Sequence, residues 1–252
     1  MARTRLDQRV VALGLVASRE RARARILAGD VTVDGTAVTK AGALVADEAT
    51  VALRVPDHPW VGRGGIKLDH ALRVFGVDPA GAIALDIGAS TGGFTQVLLE
   101  RGAARVVALD VGHGQIDWKL RRDPRVVVIE GVNARHLRPD DLPADARTFD
   151  LVTVDVSFIS LRHVWPVIPP LLGGGGRVIA LVKPQFEAGR TEVGPGGIVT
   201  DPAVHARVVG EAIDAAHRVG LRHVQTAPSP ITGAEGNREF LVLLALVGPA
   251  DS

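Results

Sequence analysis

The chain of 252 residues contains no cysteine and no tyrosine, and a single methionine. Without cysteine there are no disulfides, no thiolate zinc sites, no iron–sulfur clusters and no cysteine nucleophile. Without tyrosine no phenol serves as acid, base or nucleophile. Long apolar runs are also missing, and none approaches the ~20 residues that span a bilayer, which speaks against a membrane protein. The N-terminus is basic and lacks the apolar stretch of a secretory signal, so the expected location is cytoplasmic. Lysine is scarce: of 29 basic residues, four are lysine (Lys40, Lys67, Lys119, Lys183) and the rest arginine. Against such an arginine-rich background, a retained lysine hints at a position where arginine would not serve.

What is present is ordinary in bulk and uneven in detail. Apolar residues make up 46% and charged residues 23%, close to averages for soluble globular proteins. The net charge is +1, yet residues 1–30 hold seven arginines against Asp7, Glu20 and Asp30. That excess fits a polyanion partner, and a solvated helix face produces it as well.

The chain is expected to divide near residue 60, into a domain over 1–58, a linker over 59–65 and a domain over 66–252. In the first part Leu6, Val10 and Leu13 recur at helical spacing, with Gly14 as a stop. Ser18 reads as the N-cap of a second helix from Arg19 to Ala28. Ala22, Ile26 and Leu27 of that helix can face a core while Arg19, Arg23 and Arg25 point elsewhere. Val31 to Val33 reads as a strand, Asp34-Gly35 as a hairpin turn, and Val51 to Val55 as a further strand. Pro56, Pro59, Gly62, Gly64 and Gly65 mark the linker.

The second part alternates strand and helix. Apolar runs at 83–87, 106–109, 126–129, 151–154 and 178–182 each close on glycine or a polar residue, as buried parallel strands do. Helical patterns lie at 94–100, 116–120, 164–172 and 204–219. The expected fold is therefore α/β and Rossmann-like, a doubly wound sheet behind a small α+β domain. Ligands of such sheets sit at the carboxyl ends of the strands.

The first strand–helix junction reads Asp86-Ile87-Gly88-Ala89-Ser90-Thr91-Gly92-Gly93-Phe94-Thr95. Its glycines permit a sharp turn and close approach to a ligand. The second strand ends at Asp110, about 20 residues beyond the first, where an acid can bind two ribose hydroxyls. The spacing Asp-x-Gly-x-x-x-Gly-Gly is similar to the S-adenosylmethionine loop of methyltransferases rather than to a dinucleotide loop. The candidate cofactor residues are Asp86, Gly88, Ser90, Gly92, Gly93, Phe94, Asp110 and Asn133, the last by its likeness to methyltransferases with a polar residue after the third strand.

Two resemblances extend this reading. Ser18 to Ala22, Ile26 and the Gly29-to-Gly35 hairpin resemble the S-four-type RNA-binding module of a small-subunit ribosomal protein. It implies RNA contacts from Arg3, Arg5, Arg19, Arg21, Arg23 and Arg25, with Arg63 beside the linker; arginines along a helix can contact phosphates and stack on exposed bases. The motifs at 64–68, 86–95, 155–160, 182–187 and 236–240 resemble the haemolysin-A-type (TlyA) ribosomal RNA methyltransferases, whose catalytic half is FtsJ-like. That resemblance implies a ribose 2′-O-methyltransferase acting with S-adenosylmethionine on ribosomal RNA or a ribosomal subunit, with cytidine in large-subunit RNA as the expected target and, as in some members of the family, small-subunit RNA as well. It also implies a catalytic tetrad of Lys67, Asp155, Lys183 and Glu239, with Lys183 as base and no metal. The chemistry agrees, because a lysine can give up and accept a proton at neutral pH and arginine cannot. A ribosome-binding assembly factor without methyl transfer, or a membrane-active haemolysin, are the alternatives.

Overall fold

The computed structural model describes residues 3–55 and 57–247. Pro56, counted above in the linker, lies outside the described residues. The chain divides into two compact units between Gly62 and Arg63.

The first unit begins with strand β1 (Arg3–Arg5), followed by helices α1 (Leu6–Ala12) and α2 (Arg19–Leu27). Ser18 caps α2 by accepting the Arg21 N–H at 3.2 Å, which satisfies one of the donors left open at a helix start. Strands β2 (Val31–Val33), β3 (Thr36–Ala37), β4 (Leu44–Ala46) and β5 (Val51–Leu53) follow. β2 sits between β3 and β5, and β1 pairs antiparallel with β4. The unit's core is small: Leu6, Val10, Ala22, Ile26 and Val31 are fully buried at its centre. Leu27, expected to face inward, is 69% exposed, because Ile26 already occupies the inward position of that turn.

The second unit opens with helix α3 (Gly64–Phe75), stopped by Gly76 at φ +61°. It continues through β6 (Ile83–Ile87), α4 (Gly93–Glu100), β7 (Arg105–Asp110), α5 (Trp118–Arg121), β8 (Val126–Glu130) and β9 (Phe149–Val154). Then come β10 (Leu172–Val182), α6 (Pro184–Glu187), α7 (Pro202–His217), β11 (Leu221–Pro228) and β12 (Phe240–Leu246). The seven strands lie in the order β11-β12-β10-β9-β6-β7-β8. The five from β10 to β8 run parallel, and β12 is antiparallel to both its neighbours.

One sequence expectation fails here and one strand was not anticipated, each for a clear reason. The helix expected over 164–172 is replaced by short 3-10 turns at Trp165–Val167 and Pro169–Leu171. Pro166, Pro169 and Pro170 remove the N–H donors that a continuous helix needs. Strand β11 carried no apolar run to announce it: it is an edge strand with a register shift between His223 and Gln225, exposed along most of its length. No described helix is long and apolar enough to cross a membrane.

Candidate active site

Sheet register assembles the four expected catalytic residues. β10 pairs with β12 through Val182 and Phe240, and with β9 through Ala180 and Val154. Asp155 follows β9, Lys183 follows β10 and Glu239 precedes β12, so all three stand at one edge of neighbouring strands. Lys67 arrives from α3, on the same face as the buried Leu68, Ala71 and Phe75. Its Nζ donates to Glu239 Oε2 at 2.5 Å across 172 residues of sequence. Lys183 Nζ lies 2.6 Å from Asp155 Oδ1. Two ammonium groups and two carboxylates offset one another, which burial of charge demands. Burial pushes the Asp155 carboxyl up, but the charges of Lys183 and Lys67 outweigh it and hold the group below the usual carboxylate range.

A cavity of about 470 Å³ opens beside this cluster at the ends of β6, β7 and β9, within the size range of small-molecule sites. Gly88, Ser90, Asp110 and Asn133 line it, together with Asp155 and Ser157. Asp110 accepts the Ser90 N–H at 2.8 Å on one oxygen and the Gly112 N–H at 2.7 Å on the other. A carboxylate has about four lone-pair sites, so each oxygen retains capacity for a ribose hydroxyl. Leu109, Val111, Val132 and Ala134 add apolar wall suited to a flat base. Gly88 has φ +86°, and a Cβ there would fall 2.4 Å from the Asp155 carbonyl oxygen. Only glycine lets the end of β6 pass so close to the loop after β9.

The other four expected cofactor residues do not line the cavity. Asp86 is fully buried and accepts hydroxyl bonds from Thr95 at 2.7 Å and Thr153 at 2.9 Å. Burial pushes its carboxyl up to about 6, while the two threonine bonds oppose the shift. It braces the loop from behind. Gly92, at φ +96°, makes room for Leu120, whose Cδ1 would lie 2.3 Å from a Cβ there. Gly93 and Phe94 are buried in the first turn of α4, with the Phe94 ring against Gly64.

Three neighbours of the tetrad were not singled out from the sequence as single residues. Ser157 Oγ accepts from Lys183 Nζ at 3.0 Å. Phe158 is 90% exposed at φ +64°, its ring centroid 5.1 Å from that of Phe186. Glu187 accepts from the Ser160 hydroxyl at 2.5 Å and the Leu161 N–H at 2.8 Å. The signal was present in the motifs at 155–160 and 182–187, but a motif does not say which of its members touch.

The arginines of the first unit divide into two groups. Arg3 and Arg23 are exposed. Arg5 is half-buried and Arg19 exposed, and both bind the buried Asp7, at 3.0 and 2.9 Å. Arg21 pairs with Asp57 at 2.8 Å. Arg25, expected to point away from the core, is 6% exposed. It is held by Asp30 at 3.5 Å, by Asp57 at 3.3 Å and by the His58 carbonyl at 2.8 Å. A guanidinium so enclosed is part of the fold. Arg63 is half-buried at the start of α3.

Comparison with known proteins agrees with this geometry. Residues 60–246 match the FtsJ-like methyltransferase family, and residues 4–51 match the S4 domain. The chain is 46% identical to the 16S/23S rRNA (cytidine-2′-O)-methyltransferase TlyA of Mycobacterium tuberculosis, over 96% of this chain and 90% of that one. It is 41% identical to Hemolysin A of Brachyspira hyodysenteriae, over 94% and 98% of the two chains. Among solved structures, a putative hemolysin from Streptococcus thermophilus superposes with a TM-score of 0.77 at 40% identity, covering 98% of this chain and 90% of that one. S-adenosylmethionine is the methyl donor of such enzymes, and a cavity lined by a carboxylate with spare acceptor capacity and by apolar walls has the chemistry to fit its adenosine. The chain belongs to the FtsJ-like methyltransferases, in the TlyA group that carries an S4 domain ahead of the methyltransferase unit.

Proposed function

We propose that this protein methylates a ribose 2′-hydroxyl of ribosomal RNA, at a cytidine as in the M. tuberculosis relative. The observation that carries the reading is the Lys67–Glu239 and Lys183–Asp155 pairing beside the cavity. S-adenosylmethionine, when bound there, supplies an electrophilic methyl group. A ribose hydroxyl is a weak nucleophile and must lose its proton as it attacks. Lys183, once its ammonium has released a proton to solvent, accepts that proton at Nζ. Asp155 holds the lysine near the cavity in its charged form. Glu239 fixes Lys67, which is left to position the ribose. With the reacting groups held in line, much of the acceleration is proximity and orientation.

In the same reading, the domain over 1–58 binds RNA, 59–65 links, and 66–252 carries the chemistry. Arg3 and Arg23 are the best-placed phosphate contacts, with Arg5 and Arg19 sharing their charge with Asp7. The protein then works in the cytoplasm on ribosomal RNA or a ribosomal subunit. Incubating ribosomal RNA and isolated subunits with the protein and labelled S-adenosylmethionine, then mapping 2′-O-methylated riboses, tests the reading. A discrete methylated cytidine is expected. RNA that is bound but never methylated would replace this reading with that of an assembly factor.

A further inference from the structure

Lys183 has two partners of different kinds. Asp155 Oδ1 lies 2.6 Å from its Nζ as a close ion pair. A second bond runs from Nζ to Ser157 Oγ at 3.0 Å. Asp155 is thus a charged partner whose hold depends on the ammonium's charge, and Ser157 is a neutral one. We propose that Ser157 is the positioning residue of the lysine base, the group that keeps Nζ aimed while its charge comes and goes. The proposal rests on the reading of Lys183 as base.

The physical reason lies in what a base must do. At the moment it accepts a proton, Lys183 is neutral, and its Coulomb attraction to Asp155 has vanished. A neutral amine still carries two N–H donors, and a hydroxyl oxygen still accepts from one of them, more weakly than from an ammonium. The bond to Ser157 thus survives deprotonation and leaves the nitrogen lone pair free for the incoming ribose. When the O–H bond of the ribose breaks and the O–CH3 bond forms, the proton arrives on Nζ and the ion pair with Asp155 is restored.

Ser157 is itself held in place. The loop after β9 is fastened twice by the segment leaving β10: Lys183 holds Ser157, and Glu187 holds Ser160 and Leu161. Between the two fastenings Phe158 takes a left-handed conformation, which non-glycine residues hold only where the surroundings over-determine it. Ser157 is exposed toward the cavity, so removing its hydroxyl opens no hole in the core.

The test uses the full chain with Ser157→Ala and Ser157→Thr. We expect Ser157→Ala to lower kcat by about ten- to a hundredfold, the cost of a misplaced reacting group, with KM for S-adenosylmethionine and for RNA unchanged. Ser157→Thr, which restores the hydroxyl, recovers most of the rate. Wild-type kcat in Ser157→Ala, a parallel loss of cofactor binding, or no recovery in Ser157→Thr would each overturn the proposal. Lys183→Ala measured alongside separates the two ideas. If that variant turns over normally, the base reading itself has failed. If it is inactive while Ser157→Ala is normal, only the role of Ser157 has failed.

Discussion

Asp7 in the first unit and Asp86 in the second are both closed to solvent, and the two regions stabilise them by opposite means. Asp7 lies just beneath the surface and is gripped by charge. The Arg5 guanidinium, bonded through two nitrogens, holds its carboxyl far below the usual range, and Arg19 helps it against the push from burial. Asp86 sits deep in the sheet, where no described cation bonds it, and burial pushes it up to about 6 against the Thr95 and Thr153 hydroxyls and the Thr95 backbone N–H. The first unit is small and commits many of its arginines to its own fold. The second is large enough to hold its loop with neutral hydrogen bonds, which leaves Lys67 and Lys183 to the site.

The largest expected contrast is between a lysine of one region and an arginine of the other. Lys183→Ala should cut methyl transfer by about 10²–10⁴-fold, the usual weight of a general base. Cofactor affinity should stay at the wild-type level, as calorimetry will read, while the Asp155 carboxylate left without its cation lowers the unfolding midpoint of the second unit in urea. Arg25→Ala should act on the other unit. It removes a buried cation beside the buried Asp30 and should destabilise the first unit by about 3 kcal/mol, while the second unit keeps its cofactor affinity. Equal loss of methyl transfer in both variants would erase the contrast.

Acid should separate the regions next. Burial, followed by the Arg25 charge, pushes His58 down to about 4, with Arg21 adding and Asp57 opposing. A depressed histidine contributes stability above its ordinary value of 6.5, and that stability is lost as pH falls toward 4. Asp7 acts with the same sign, at lower pH. Asp86 is raised, so its contribution is full below the ordinary carboxylate value and is lost as pH rises through about 6. Hydrogen exchange, corrected for intrinsic rates, should therefore show α1 and α2 loosening between pH 6.5 and 4 while β6 and β7 tighten. Asp86→Asn should flatten the second trend and leave the first intact. The smallest effect belongs to Arg23→Ala on the exposed face of α2. Stability should not change, and the slope of log RNA affinity against log salt should fall by about one.

Much of this contrast was legible in the sequence. The alternation of apolar runs gave the parallel strands of the second unit, because a strand buried on both faces has to be apolar throughout. Asp110 at the end of β7 was legible because its spacing from the loop reflects the length of one helix crossover. Asp86 stands one residue before the end of β6 and faces Thr153 on β9 and Thr95 on α4, not the cavity. A one-dimensional motif cannot distinguish a residue that touches a ligand from one that supports the loop touching it. Arg25 shows the same limit, since its partners Asp57 and His58 lie more than 30 residues away.

Composition and periodicity by themselves determined the α/β class and the two-part organisation, because apolar pattern follows burial. The four expected tetrad residues came from the resemblance of their motifs to the TlyA methyltransferases, not from composition or spacing. Tertiary structure alone decided how those residues act together. The β9–β10–β12 register set Asp155, Lys183 and Glu239 at one edge, α3 delivered Lys67 to Glu239, and the loop after β9 turned Ser157 toward Lys183. Contacts between strands distant in sequence leave no local pattern, because sheet pairing is decided by how whole layers pack.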